Sequence, residues 1–278
     1  MIRSNAHKYS ISALCKCLGI ARSTYYYETK GTREETELED EIEKIFNQNR
    51  KVYGSRKIKA ELLKRGQRIS KRRICRLMKN RHLESAYSKS RFKVHTSKYN
   101  EALIPNELDR QFNGKDQYAA VVSDLTYVRV NYKWNYVCIL VDLFNREIIG
   151  HSAGPNKDAK LVYDAFATVK ANLGEIQMFH TDRGSEFNNQ LIEDVLSAFN
   201  IKRSLSLKGC PYDNAVAEST FKIFKAEFVY GRSFECMERL RLELGDYVHW
   251  FNNQRIHSTL GYLSPRDFKA NTLSFLSE

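Results

Sequence analysis

Residues 118–154 read YAAVVSDLTYVRVNYKWNYVCILVDLFNREIIGHSAG. β-Branched and aromatic residues crowd this stretch, and turn-forming residues interrupt it around Asn131 and at Asn145-Arg146. The pattern predicts three strands, 119–130, 132–143 and 146–154, joined by short turns into an antiparallel meander. Downstream, Leu161, Val162, Ala165 and Val169 fall at helical spacing within 158–173. A short strand is expected at 176–182, a helix at 189–200 and a strand at 201–207. A long helix follows from about Ala215 to Phe228. Another, roughly 235–253, carries Leu240, Leu244, Tyr247, Trp250 and Phe251. Three strands and then alternating helices and strands describe an α/β fold, a mixed sheet with helices on its faces.

Upstream the pattern is helical. In SISALCKCLGIARSTYYY (residues 10–27), Ser10 is suited to cap a short helix, and Ile11, Leu14 and Leu18 share one face. Gly19 supplies a turn, and a second short helix carries Arg22, Ser23, Thr24 and Tyr25. This is the helix-turn-helix pattern, which an ordinary helical corner shares; the basic surroundings favour DNA contact by Arg22, Ser23 and Thr24. Residues 34–48 begin acidic and place Leu38, Ile42, Ile45 and Phe46 on one face. The segment YGSRKIKAELLKRG (53–66) offers Arg56 and Lys57 to DNA. The next helix, capped by Ser70, has Ile74, Leu77 and Met78 on its apolar face. Lys71, Arg72, Arg73, Arg76, Lys79 and Arg81 occupy the rest, with no acid among residues 71–81. Cations without acids in the same segment point to phosphate contact, here through Arg72, Arg73 and Arg76 above all. Residues 85–117 turn polar and basic, and Pro105 and Gly114 break them. The expected organisation is a basic helical region at 1–99, a linker at 100–117 and a catalytic core with C-terminal helices at 118–278.

The charge divides in the same place. Net charge is +12 over 278 residues, but residues 1–100 carry 25 Lys and Arg against 10 Asp and Glu, whereas residues 101–278 carry 20 against 23. A basic arm joined to a near-neutral body suits a polyanionic partner. The six cysteines, at 15, 17, 75, 138, 210 and 236, form no zinc-type pair and read as reduced thiols. No apolar run approaches the ~20 residues that span a bilayer, and MIRSNAHKYS has no apolar signal core. The expectation is a protein that stays in the compartment where it is made and is not associated with a membrane.

Three carboxylates stand out by context. Asp124 lies within the apolar run VVSDLTYV, Asp182 ends a strand in FHTDRG, and Glu218 sits in the helix NAVAEST. Each alone has an ordinary explanation: an edge residue, a turn, a solvent-facing helix position. Together they have a spacing, with 35 residues between Asp182 and Glu218 and Lys225 seven positions further on. Two helical turns put Glu218 and Lys225 on one face. Phosphodiester transfer activates one oxygen and stabilises another as it leaves, and two hard cations ~3.5–4 Å apart can clamp both. Mg²⁺ and Mn²⁺ take oxygen ligands, which carboxylates on rigid strands and a helix supply. Gly184 permits a tight turn after Asp182, and Pro211, Asp213 and Asn214 are suited to start the Glu218 helix. His180 is either a supporting residue of the site or a packed strand residue. Asn252, Asn253, Gln254, Arg255 and His257 either touch DNA or cap the domain, and His249 with Trp250 reads as core packing.

The motifs SDLTYV, HTDRGSEF, GCPYDNAVAESTFKIFKAE and WFNNQRIHSTLGYLSPRDF, with YGSRKIKAELLKRG in the basic region, resemble one family over roughly residues 10–270. It is the catalytic (orfB) subunit of insertion-sequence transposases encoded in two reading frames, whose core is similar to retroviral integrase. The resemblance implies a ribonuclease-H-like mixed sheet flanked by helices, preceded by a small all-helical helix-turn-helix module. It implies metal-dependent cleavage of the DNA ends of a mobile element and their strand transfer. Asp124 would bridge two Mg²⁺ or Mn²⁺ ions, Asp182 hold one and Glu218 the other, with Lys225 and Lys222 near the DNA end. Double-stranded DNA, both terminal inverted repeats and target, would be the partner, with a homo-oligomer and a first-frame (orfA) product beside it. No covalent protein–DNA step is needed, so no catalytic Tyr or Ser is assigned. The chain departs from the family pattern at Val121, where a Trp often stands. Two alternatives share these residues: a nuclease that cuts without joining, and a DNA-binding regulator with a non-catalytic core.

Overall fold

A computed structural model describes residues 2–26, 32–88, 116–206 and 215–276. The meander forms as expected: β1 (Val121–Val130), β2 (Lys133–Asp142) and β3 (Ile148–Gly154) pair antiparallel. Asn131 and Tyr132 make the first turn with φ of 43° and 62°. Two left-handed residues match the twist of a tight hairpin. β4 (Met178–Thr181) lies parallel to β1, and β5 (Lys202–Leu205) parallel to β4, giving the order β3-β2-β1-β4-β5.

The sheet is buried on both faces, so β2 is a nearly continuous apolar run and not an alternating one. Val137, Ile139 and Val141 point into one core with Phe221, Phe224, Phe228, Tyr247 and Phe251. These belong to α9 (Ala215–Phe224), the π-helical turn Lys225–Val229 that continues it, and α10 (Met237–Asn253). Cys138 and Leu140 face the other core, with residues of α7 (Ala159–Ala167) and α8 (Gln190–Ala198). Val121 is fully buried there, a packing position.

In the helical region, α1 (Ile2–Asn5) precedes α2 (Ile11–Cys17) and α3 (Arg22–Tyr26). Ser10 caps α2 by accepting from Ala13 N at 3.2 Å, and Gly19 turns the chain with φ +64°. The helix-turn-helix geometry is present, but Leu18, expected on the apolar face, is 40% exposed. α4 (Thr32–Gln48), α5 (Ser55–Lys64) and α6 (Lys71–Asn80) pack around Leu38, Ile42, Ile45, Phe46, Ile58, Leu62, Ile74 and Leu77. Burying each such side chain contributes about 1.5–3 kcal/mol. This core is continuous with that under α9 and α10. Tyr53, fully buried, accepts from Ile256 N at 2.9 Å and donates to Gln254 O at 3.3 Å.

Three features depart from the expectations. The helix predicted over 158–173 stops at Ala167, where Thr168 Oγ1 accepts from His151 N (2.8 Å) and donates to β3. α11 (Pro265–Leu276) was not foreseen, although Ser264 caps it through Asp267 N at 3.1 Å and Pro265 opens it. The third concerns the cations of α6, several of which are paired by acids from another helix. Arg73 and Arg76 reach Glu35, and Arg81 reaches Glu39, Asp40 and Glu43, all on α4. The expected linker at 100–117, apart from its last two residues, and the segment Pro211–Asn214 lie outside the described residues. Among the described residues no helix is long and apolar enough to cross a membrane.

Candidate active site

Asp124 stands within β1, opposite Ile139 in a strand paired along its length with β2. β4 reaches β1 only at Val121 and Val122, because it ends at Thr181. Asp182 is therefore delivered where β1 loses its second neighbour. Its Oδ1 accepts from Gly184 N at 3.0 Å, closing the turn. α9 packs against β1 and carries Glu218, whose side chain is 39% exposed.

The three acids feel one another. Burial, foremost, and the neighbouring charges of Asp182 and Glu218 push the Asp124 carboxyl up to about 6. A 2.7 Å bond from Leu125 N and the Lys225 ammonium pull the other way. Among the described residues no group of three or more acid, His or Cys side chains sits tightly enough to hold an ion. What the fold assembles is a group of three acids around Asp124 whose like-charge repulsion Leu125 N and Lys225 only partly offset. Lys222 lies exposed 3.8 Å from Glu218 Oε2. Lys225 begins the π-helical turn, and its Nζ lies 5.9 Å from the centre of the Tyr127 ring.

Two residues of this neighbourhood escaped the sequence reading. Glu186 is 4% exposed, and Lys157 Nζ lies 2.8 Å from its Oε1. The Glu186 bond, foremost, raises the Lys157 pKa, and the charges of Asp182 and Asp124 add to it. A second acid within DRGSEF was a signal for Glu186; Lys157, on the loop after β3, had none. Glu186 also explains Gly184: its φ is not left-handed, and an added Cβ would collide with the Glu186 carboxylate, 2.5 Å from Cδ. Glycine is there for space, not for a turn conformation.

The other candidates divide. Arg22, Ser23, Thr24, Arg56, Arg72 and Arg76 are exposed, and Arg73 partly so. Lys57 is a correction: its ammonium is buried, lies 4.8 Å from the centre of the Tyr53 ring, and has no hydrogen-bond acceptor in this structure. Burial, foremost, and the charge of Arg255 lower its pKa to about 7. The ammonium is therefore not presented to solvent as the sequence reading expected. His180 is fully buried with Nδ1 2.8 Å from Ser204 Oγ, a packed strand residue. Asn252 fastens α10 to β3 through Ile148 N and O, and Arg255 and His257 are buried. These residues close the domain. His249 is exposed and bonded to Asn253, so of its pair only Trp250 is core.

Residues 116–211 and 218–273 match family models described as integrase core domain, together more than half of the chain. The chain belongs to the integrase-core transposases of insertion sequences. Residues 32–91 match a HTH-like domain, which falls on α4 to α6 and not on the Ser10–Tyr27 segment. The putative transposase InsK of insertion sequence element IS150 from Escherichia coli (strain K12) is 29% identical over 95% of both chains. Transposase InsF of insertion sequence IS3A from the same organism is 28% identical over 98% of both. Among solved structures, the catalytic core domain of HTLV-2 integrase in complex with magnesium is 15% identical with a TM-score of 0.39, covering 60% of this chain and 97% of that one. The catalytic domain of Mos1 mariner transposase is 14% identical with a TM-score of 0.37, covering 48% and 70%. This transposase is thus a DNA-binding enzyme of the polynucleotidyl-transferase class that acts in transposition of a mobile element.

Proposed function

We propose that Asp124, Asp182 and Glu218 are the catalytic carboxylates and that they hold two divalent cations, Mg²⁺ or Mn²⁺. The observation that carries this reading is the convergence of the three acids: β1, the end of β4 and the α9 helix packed on β1 deliver one each, and Asp124 feels the charges of the other two. The donor set fits the ions: three hard carboxylates whose mutual repulsion a cation relieves. When bound, the ions supply Lewis acidity to the phosphodiester oxygens. Asp124 is fixed by β1, Asp182 by its turn at Gly184, and Glu218 rides on α9. Lys222 and Lys225 neutralise DNA phosphate at the mouth, and Lys157 partners Glu186 beside Asp182. The enzyme cleaves the ends of its element and joins the freed 3′ ends to target DNA, as a homo-oligomer that brings two ends together. A first-frame product assists, and the reaction takes place at the bacterial nucleoid. The helical region at 1–99 holds the terminal inverted repeats through Arg22, Ser23, Thr24, Arg56, Arg72, Arg73 and Arg76, and the core is 118–278.

The test is cleavage and joining of labelled element-end DNA with Mg²⁺ and Mn²⁺, with the first-frame product supplied. Native protein is compared with Asp124→Asn, Asp182→Asn and Glu218→Gln. The expected result is cutting and joining by native protein and DNA binding alone by the three variants. Equal activity in all four would show the acids to be structural.

A further inference from the structure

The β1–β2 hairpin projects beyond the sheet. β4 covers β1 only as far as Val122, so among the described residues the distal half of β1 has β2 on one side and, on the other, only the isolated bridge of Val130 to Phe234. On this overhang, Tyr127 faces Tyr136 and Arg129 faces Trp134. Cross-strand partners project from the same face of a sheet, so the four form one surface. It is the face opposite Asp124, since side chains alternate along a strand. Large rings stand in solvent here: Tyr127 is 61% exposed and Trp134 60%. The Tyr127 ring packs edge-on against Trp134 at 5.8 Å and against Tyr136 at 6.5 Å. Arg129 lies over the Trp134 ring at 5.5 Å, and Lys225 over Tyr127 at 5.9 Å.

Tyr136 packs against the second core, but neither core accounts for Tyr127 and Trp134, which belong to no buried cluster. The charge is one-sided, because Arg129 and Lys225 stand at these rings and residues 125–141 contain no Asp or Glu. A second copy of this surface would therefore meet it cation against cation. Cations interleaved with exposed aromatic faces are the chemistry that binds single-stranded nucleic acid, by phosphate neutralisation and base stacking. A duplex keeps its base faces stacked and offers only phosphates. The position is also suggestive. Three residues along β1, ~10 Å at strand rise, separate Tyr127 from Asp124, and Lys225 touches both environments.

We propose that the Tyr127–Arg129–Trp134–Tyr136 surface, with Lys225 at its edge, binds unpaired bases of DNA on the face of the hairpin opposite Asp124. The proposal rests on the transposase reading for its DNA substrate but not on the carboxylates' chemistry. Asp182→Asn protein can therefore be used throughout, which separates its failure from failure of the catalytic assignment.

Trp134 and Trp250 are the two tryptophans, and Trp250 is 4% exposed, so emission quenched at the surface reports on Trp134. The full-length protein is titrated with oligothymidylate and, separately, with a blunt duplex of equal length. Binding is followed independently by anisotropy of labelled DNA. The expected result is quenching by the single strand and not by the duplex. Trp134→Ala is expected to weaken single-strand binding ~10-fold and leave duplex binding unchanged, with Trp134→Phe restoring most of it. Because Trp134 is exposed, both variants should unfold at the native temperature. Single-strand binding without quenching, equal loss of single-strand and duplex binding in Trp134→Ala, or a concentration-dependent emission shift without DNA (a second copy covering the face) would each overturn the proposal.

Discussion

Arg255 grips Glu227 with two nitrogens in a site sealed from water. Nε lies 2.9 and 2.8 Å from the two carboxylate oxygens and Nη2 lies 2.8 Å from Oε1, with side chains 3% and 0% exposed. Tyr247 donates to Oε2 at 3.0 Å, and Tyr87, from the helical region, donates to Oε1. Glu227 lies in the π-helical turn that continues the Glu218 helix. One buried pair thus ties together the helical region, the end of α10 and the element that carries the third carboxylate.

Breaking this pair from one side leaves a buried charge without its counterpart, at a cost of about 3–5 kcal/mol. Glu227→Gln and Arg255→Met are each expected to lower stability by that amount in urea unfolding. The double variant Glu227→Met with Arg255→Met should recover much of the loss, because no charge is then stranded. If the double variant falls by the sum of the two, the pair contributes through packing and not through charge.

Lys57 gives a prediction with a pH signature. Its pKa is lowered from 10.5 to about 7 by burial first and by Arg255 second. The unfolded chain takes up a proton as pH falls below 10.5, and the folded chain does not until about 7. Stability from this group is therefore full above pH 10.5 and is lost progressively as pH falls to about 7. Lys57→Met should melt higher than native protein at pH 7, with the gap closing toward pH 10. A constant gap across that range would show that Lys57 is not carried neutral.

The cations of α6 should separate by experiment into two sets. Lys71, Arg72 and Lys79 are exposed, whereas Arg81 is engaged by three acids of α4. Replacing Arg72 by Ala is expected to weaken binding to all duplex sequences alike. The slope of log affinity against log salt should fall by about 1. Arg81→Ala should leave that slope unchanged and lower stability only slightly, as exposed ion pairs do. A lowered salt slope for Arg81→Ala would place it on the DNA face.

Much of this was legible in the sequence, and the reason differs by residue. The meander was legible because its β-branched runs are broken at Asn131 and Asn145, where turns do occur. Leu38, Ile42, Ile45 and Phe46 were legible because helical spacing alone puts them on one face. Asp124 stood out only together with Asp182 and Glu218, since alone an acid within an apolar run has an ordinary explanation. The fate of Lys57 was not, since its burial depends on Arg255 and Glu227, some two hundred residues away. The acids opposite Arg76 and Arg81 were hidden for the same reason: α4 and α6 meet only in three dimensions. Ser264-Pro265-Arg266-Asp267 was a readable helix start that was passed over.

Gly150 lies in β3 where α7 crosses closest. A Cβ there would come within 2.6 Å of Ala165 O, 2.8 Å of Leu140 Cδ1 and 2.9 Å of Val169 Cγ2. The first of these is backbone and cannot rotate away. Gly150→Ala is expected to destabilise by about 1–3 kcal/mol as other overpacked cores do. Gly245, with nothing within 4 Å of its added Cβ, should instead gain about 0.5–1 kcal/mol as Ala in the middle of α10. Equal effects at the two sites would mean that β3 and α7 are free to separate.

The three carboxylates make the last prediction. The Asp124 pKa stands at about 6 against an ordinary 3.8, from burial first and the charges of Asp182 and Glu218 next. A group whose folded pKa is raised contributes stability that is full below its unfolded pKa and lost as pH rises through the folded one. Without a divalent ion, native protein should therefore lose stability between about pH 4 and pH 6. Asp124→Asn has no charge to bury, so it should melt higher than native protein at pH 7. An ion bound by the carboxylates favours the ionised carboxyl and opposes the loss. The rise in melting temperature on adding Mn²⁺ should be near zero at pH 5, grow through pH 6 and level off by pH 7. It should be much reduced in Asp124→Asn at every pH. If Asp124→Asn melts lower than native protein without metal and responds to Mn²⁺ as strongly, Asp124 is a structural acid and the ions bind elsewhere.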